Sequence, residues 1–477
     1  VYPTTGRIAM EKYKYFLKNI GLMTLSNFAS KILSFLLVPL YTSVLSTADY
    51  GLYDIYTTTA FLLVPLLSGA VSQAALRFSM DATSDRSQVF SEAIRTFIQA
   101  SLVIVALVAI NCWLNLIPLF NEYPTYFVLY YVFCLLSDIL LSFARGIDRI
   151  FDVAIAGIIS SAVIIILNVT LLLIFPMGVS GYFIANISAF VVVSIYLFVR
   201  LRLWTYITAR RNKALSEEMA EYSRPLIFDQ IAWWINNVSD RYIVTWICGA
   251  AANGIYSVAF KIPSILNVFQ SIFNQAWTLS AVKEINESSG EFYSRIYSIY
   301  NCGLVLLCSL LLVGDKFIAR ILYANDFYRA WQFAPLLTIS VVFSCLCGVF
   351  EGIFAAAKET KILASTTIVG AAINIAMNLV LVRYYGPLGA AFSTMVSYGL
   401  VWFARLRKAS SIVHLNIHLS RDLASYAILL LQSFLLILIT DPVYVYAIEV
   451  LLLLLIVLLY VKDLKVLASG LLNKIKS

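Results

Sequence analysis

"NGIYSVAFKIPSILNVFQSIFNQAW" (Asn253–Trp277) is apolar over a bilayer-crossing length, yet a lysine, Lys261, sits inside it. A charge at membrane depth costs ~2.5–3.5 kcal/mol on insertion scales, so it needs a reason to be there. Ser257, Lys261, Ser264, Asn267, Ser271 and Asn274 recur at helical spacing and predict one polar face. A related stretch lies near the start of the chain: "YGLYDIYTTTAFLLVPLLSGAVSQAA" (Tyr50–Ala75) sets Gly51, Tyr53 and Gln73 against Gly254, Tyr256 and Gln275. Further on, Asn168, Gly178 and Gly181 are answered by Asn378, Gly386 and Gly389, and "FVRLR" at 198–202 by "FARLR" at 403–407. The chain reads as two similar halves.

Of 477 residues, 61% are hydrophobic and 13% charged, and mean hydropathy is +0.86. That is the composition of an all-α polytopic membrane protein, and fourteen apolar stretches are long enough to span. They cover 17–42, 50–75, 96–117, 124–144, 153–175, 180–199, 225–248, 254–280, 297–314, 331–357, 362–382, 387–404, 423–440 and 443–461. The first has no cleavage site after a short apolar core, so it is read as a retained span rather than a signal peptide.

The net charge of +8 is a topology signal, not a nucleic-acid footprint. Of the 34 Lys and Arg, Lys316, Arg320, Arg329 and Arg383 fall on the outer side and Lys31, Arg241 and Lys261 within spans; the rest lie on the inner side. Both termini are then cytoplasmic. Each half holds six spans and starts and ends inside, so the halves are parallel repeats related by an axis along the membrane normal. The resulting organisation is a cytoplasmic segment 1–16, an N-lobe 17–199, a linker 200–224, a C-lobe 225–404, a loop 405–422, an appended hairpin 423–461 and a tail 462–477. The hairpin is nearly uniform in apolarity and is expected to face lipid or a lipid ligand, although Glu449 lies within it.

No metal site is expected. The seven cysteines form no CxxC pair, and His414 and His418, one turn apart, are too few for zinc. Span one carries Thr24, Asn27, Lys31 and Ser34; span two carries Asp54, Thr57, Ser68, Ser72 and Gln73. Span seven has two polar rows, Asp229, Trp233, Asn236, Asp240 and Gln230, Trp234, Asn237, Arg241. Such stripes avoid lipid, and two readings of them stand. Ser, Thr and Asn can simply bond helices together, at ~0.6 kcal/mol each, and Asp240 can neutralise Arg241. Alternatively, with Lys261, the stripes line a shared hydrated cavity between the lobes that is net cationic and suits an anion such as phosphate. The substrate-binding candidates are Lys31, Arg77, Arg241, Lys261, Arg145, Asn27, Asn237 and Asn267. Asp54, Asp229, Asp240, Asp138 and Glu351 are candidates for coupling or gating.

"NIGLMTLSNFASKILSFLLVPLYTSVLSTADYGLYDIYTTTAFLLVPLLSGAVSQAALRF", "VGDKFIARILYANDFYRAWQFAPLL" and "YYGPLGAAFSTMVSYGL" carry a family resemblance. The chain resembles the bacterial polysaccharide flippases of the multidrug/oligosaccharidyl-lipid/polysaccharide (MOP) exporter superfamily. The resemblance implies two six-helix lobes in a V that alternate access, plus a C-terminal two-helix hairpin. It implies flipping of an undecaprenyl-diphosphate-linked oligosaccharide, an O-antigen, capsule or exopolysaccharide unit, across the bacterial cytoplasmic membrane. It also implies cationic residues on spans one, two, seven and eight, which Lys31, Arg77, Arg241 and Lys261 supply helix by helix.

Expected partners are the lipid-linked oligosaccharide, membrane lipids, a polysaccharide polymerase and other assembly proteins, with no nucleic acid. No cofactor is expected; a proton or sodium gradient or the membrane potential can supply direction. Four rival readings stand beside this one. A lipid II flippase of the superfamily fits the fourteen spans. A cation-coupled multidrug exporter would favour acidic and aromatic cavity residues. A membrane glycosyltransferase or polymerase would need a large outer loop or an acidic catalytic cluster, and a non-transporting scaffold would leave the charged stripes without a role.

Overall fold

The computed structural model describes residues 35–81, 84–210, 212–283, 289–357, 359–439 and 441–465. Among them all regular structure is helical, the form that satisfies every backbone group within one segment where no water is available. The chain divides into two compact units at Ile235/Asn236. The first holds α1 (Val38–Val44), α2 (Thr47–Ser68), α3 (Val71–Met80), α4 (Arg86–Leu114), α5 (Pro124–Gly146), α6 (Ile150–Val169) and α7 (Gly178–Arg200). α8 (Lys213–Cys248) runs through the division. The second unit continues with α9 (Ala250–Ala259), α10 (Ser264–Lys283), α11 (Ser289–Leu322), α12 (Ala334–Ala356), α13 (Thr360–Tyr385), α14 (Pro387–Ile412), α15 (Leu419–Leu438) and α16 (Pro442–Leu459).

Nine described helices are long and apolar enough to cross a membrane, or ten if the bent pair α2 and α3 is one span. Four of the fourteen expected spans fall outside that count. Span one lies outside the described residues apart from its end. Span seven is the distal part of α8, too polar to qualify because it carries Gln230, Asn236, Asn237, Asp240 and Arg241. Span eight is interrupted: a turn over Phe260–Pro263 separates α9 from α10, because Pro263 has no N–H to continue the ladder. Span fourteen is the shorter apolar helix Val443–Leu459.

In the first unit, Ser46 starts α2 by accepting the Asp49 N–H (3.1 Å). Left-handed conformations at Gly69 and Ala70 then bend α2 from α3 by 59°. α2 packs against α5 and α7 through aromatic rings. Tyr53 lies 4.1 Å from Tyr182 and 4.9 Å from Phe183, centroid to centroid, and the Tyr56 hydroxyl donates to the Leu119 carbonyl (2.7 Å).

One face of α4 holds the chain that follows α7. Ser91 donates to the Tyr206 carbonyl (3.2 Å) and accepts the Thr208 N–H (2.7 Å). The Arg95 guanidinium donates to the carbonyls of Thr208, Ala209 and Arg210. Gln88 accepts from Asn212 (2.9 Å) and Glu92 from Ser216 (2.7 Å). These four residues recur at helical spacing, so the basic stretch is fastened along its length.

The repeat is visible in the backbone. Gly178 begins α7 at φ +57° and Gly386 precedes α14 at φ +59°, a conformation in which a side chain is strained. One turn on, a Cβ at Gly181 would lie 2.9 Å from the Leu171 carbonyl oxygen, and one at Gly389 would collide with the Leu381 carbonyl. Corresponding glycines thus serve the same two purposes in each half.

In the second unit the hairpin α15–α16 packs on α11, and its inner face is not uniformly apolar as expected. Asp422, Ser425, Gln432, Ser433 and Glu449 are buried. Asp422 accepts from Arg421 (3.2 Å) and from the Tyr460 hydroxyl (3.0 Å), while Asn301 of α11 donates to Tyr460 (3.0 Å) and accepts from Tyr426 (2.8 Å). Arg421 also pairs with Asp463. Polar side chains on an apolar hairpin fix which face meets α11, because an unpaired one in lipid is costly.

Candidate functional site

The densest polar constellation lies in the second unit, where α8, α9, α13 and α14 each contribute. Asp240, 4% exposed, accepts the Tyr256 hydroxyl (2.6 Å), the Thr394 hydroxyl (3.4 Å) and the Arg241 N–H (2.9 Å). Behind it, Asn374 donates to Thr394 (3.3 Å) and Asn378 donates to Asn374 (2.8 Å). A buried carboxylate is tolerated only when its oxygens are hydrogen-bonded, and here α8, α9 and α14 supply the partners while α13 braces Thr394 from behind. One step away, the Arg241 guanidinium sits 5.1 Å over the Phe260 ring. Phe260 precedes Lys261, which lies half-buried in the turn between α9 and α10, and whose carbonyl accepts from Ser264 (2.6 Å). The interruption of span eight therefore places at one turn both the ring that Arg241 covers and Lys261, the residue after it. Asn237 accepts from Tyr398 (3.3 Å) on α14, while Asn267 is exposed on α10.

Lys31 and Asn27 lie outside the described residues. Arg77 ends α3, exposed, in a cleft of about 380 Å³ that Phe78, Asp81, Glu218, Glu221 and Tyr222 complete. Arg145, half-buried at the end of α5, donates to the Leu141 carbonyl (3.3 Å), and Asp138 faces it and Ser72. Asp54 is buried in α2, where its carbonyl accepts the Thr57 and Thr58 hydroxyls (3.1 and 2.7 Å). Asp229 is exposed on α8. Glu351 pairs with Arg405 (2.8 Å), which is itself 5% exposed and also donates to Thr366 (3.1 Å) and Thr367 (2.9 Å).

Sequence reasoning grouped Arg405 with the inner-loop cations, but α14 runs on to Ile412 and carries it into the protein. It also passed over Asn374 and Thr394; the available signal was Asn374 and Asn378 four apart on an otherwise apolar helix, which puts both on one face. Among the described residues no three His, Cys, Asp or Glu gather as metal ligands.

The family described as "Polysaccharide biosynthesis protein" matches residues 16–278. No curated protein matches the chain in sequence. Among solved structures, the chain is similar to the lipid II flippase MurJ in an inward-closed conformation, with 15% identity, TM-score 0.71, and coverage of 94% of this chain and 99% of that one. It is similar to an inward-facing multidrug resistance MATE family transporter of the MOP superfamily, with 14% identity, TM-score 0.64, and coverage of 80% and 95%. A MOP superfamily transporter from Pyrococcus furiosus, described by the reverse polarity of its binding pocket, matches at 15% identity and TM-score 0.51 over 83% and 93%. At these identities the likeness establishes the fold.

Proposed function

Since the chain belongs to the polysaccharide biosynthesis protein family and has the fold of MOP transporters, we propose that it is a flippase for an undecaprenyl-diphosphate-linked oligosaccharide. It moves the headgroup from the inner to the outer leaflet of the bacterial cytoplasmic membrane, both termini being cytoplasmic, by alternating access. The observation that carries this reading is the Arg241 guanidinium over the Phe260 ring, at the turn that also carries Lys261. One cationic side chain over this turn and another borne by it suit a diphosphate, whose two negative charges can accept from both. Lys31 and Arg77 extend the cationic cavity in the sequence-based reading. In this reading Asp240, hydrogen-bonded from α8, α9 and α14, is the coupling residue, taking a proton or a sodium ion. A ligand drives such a switch only through different affinity for the two states.

Reconstituted into vesicles with a fluorescent undecaprenyl-diphosphate oligosaccharide, Arg241→Ala and Lys261→Ala are each expected to slow flipping about tenfold, the loss of ~1.4 kcal/mol of binding, with protein abundance unchanged. Full flipping in both variants would overturn the cationic site. One observation favours a second reading: Asp81, Glu218 and Glu221 around Arg77 suit a cationic guest, as in a multidrug exporter. Uptake of a cationic dye in place of the lipid-linked sugar would establish it.

A further inference from the structure

At the opposite end of the hairpin from Asp422, two carboxyl groups lack what Asp422 has. Glu449 of α16 and Asp315 of α11 are each 1% exposed, and among the described residues both Glu449 carboxyl oxygens and the Asp315 Oδ2 have no hydrogen-bond partner. Asp315 precedes the end of α11 at Leu322 by seven residues, and Glu449 follows the start of α16 at Pro442 by seven. At ~1.5 Å per residue both lie about 10 Å from the same edge of the helix group. The two carboxyls and Lys316 are within electrostatic reach of one another.

The neighbours that could answer this charge are committed elsewhere. Lys316 donates to the Ile439 carbonyl (3.4 Å) and lies 4.5 Å over the Trp331 ring. Gln432 of α15 stands beside Glu449, but its oxygen accepts from Ser309 (2.9 Å) and its nitrogen donates to the Glu449 main-chain carbonyl (3.3 Å). Arg320, further along α11, lies beside Tyr328 and Tyr446. Two carboxylates and one ammonium leave a net charge of −1 on buried carboxyls, which a protein does not bury without compensation.

We propose that Asp315 and Glu449 form a site for one monovalent cation, a proton or a sodium ion, seated between α11 and the appended hairpin. The Asp315 Oδ2 and the two Glu449 carboxyl oxygens are its ligands. Gln432 holds the Glu449 main chain in place through a hydrogen-bond relay from Ser309. The site is separate from Asp240 and stands whatever cargo the protein carries.

The test uses the purified full chain in lipid nanodiscs. Infrared difference spectra of wild type against Glu449→Gln, and against Asp315→Asn, isolate the carboxyl bands of these residues. A protonated-carboxyl band that disappears as pH rises in sodium-free buffer assigns the proton. Thermal stability that rises by about 2–4 °C with NaCl but not choline chloride, and no longer does so in Glu449→Gln, assigns sodium. Spectra showing only ionised carboxylates, together with the same salt response in wild type and both variants, overturn the proposal. The wild-type spectrum reads the protonated band without either variant, so a poorly folding substitution does not end the test.

Discussion

Tyr53 and Tyr256 occupy corresponding places in the two halves, and the halves put them to different use. Tyr53 packs its ring, tilted or edge-on, among Tyr182, Phe183 and Tyr130. Tyr256 packs edge-on to Phe260 but turns its hydroxyl to Asp240. A shared scaffold has therefore kept the ring while dividing the roles: aromatic cohesion in the first unit, and a carboxylate held from three helices in the second.

That division can be broken most strongly at Asp240. Asp240→Asn keeps the shape and removes the charge. Hydrogen bonds to a charged group are worth ~1.5–3 kcal/mol, so flipping in vesicles is expected to fall roughly 10- to 100-fold; unchanged flipping would reduce Asp240 to a structural role. A smaller effect sharpens the comparison at the glycine junctions. Gly389→Ala and Gly181→Ala each drive a methyl into a backbone carbonyl, more deeply at 389. Losses of ~1–3 kcal/mol are expected, the larger at Gly389, read from thermal unfolding monitored by fluorescence; a reversed order would show that the junctions relax differently. The smallest effect separates the tyrosines themselves. Tyr256→Phe removes a donor to a buried carboxylate and should cost ~1.5–3 kcal/mol, whereas Tyr53→Phe keeps the ring packing and removes only a neutral hydroxyl facing Tyr130, and should cost ~0.5–1 kcal/mol. Equal costs would erase the proposed difference.

Membrane helices, the repeat and the polar rows of span seven were legible because each leaves a local mark: run length, paired glycines, spacing of three and four. The turn at Phe260–Pro263 was carried by a visible proline, yet the continuous polar periodicity across it concealed the interruption. Arg405 and Gln432 escaped notice for a common reason. One sits in a basic cluster and the other in an apolar helix, and only tertiary packing shows that Glu351, Thr366 and Thr367 receive the first, and that Ser309 and the Glu449 main chain receive the second. Asn374 and Thr394 depend on α13 and α14 meeting α8, a contact that no spacing within one helix encodes.

The α4 face built from Gln88, Ser91, Glu92 and Arg95 has a mechanical meaning. A strand of chain gripped at Tyr206, Thr208, Ala209, Arg210, Asn212 and Ser216 behaves as a connecting rod rather than a slack cord. Any sliding or tilting of α4 is handed on directly to the first turns of α8, the same helix that carries Asp240 and Arg241 some 24 residues further along.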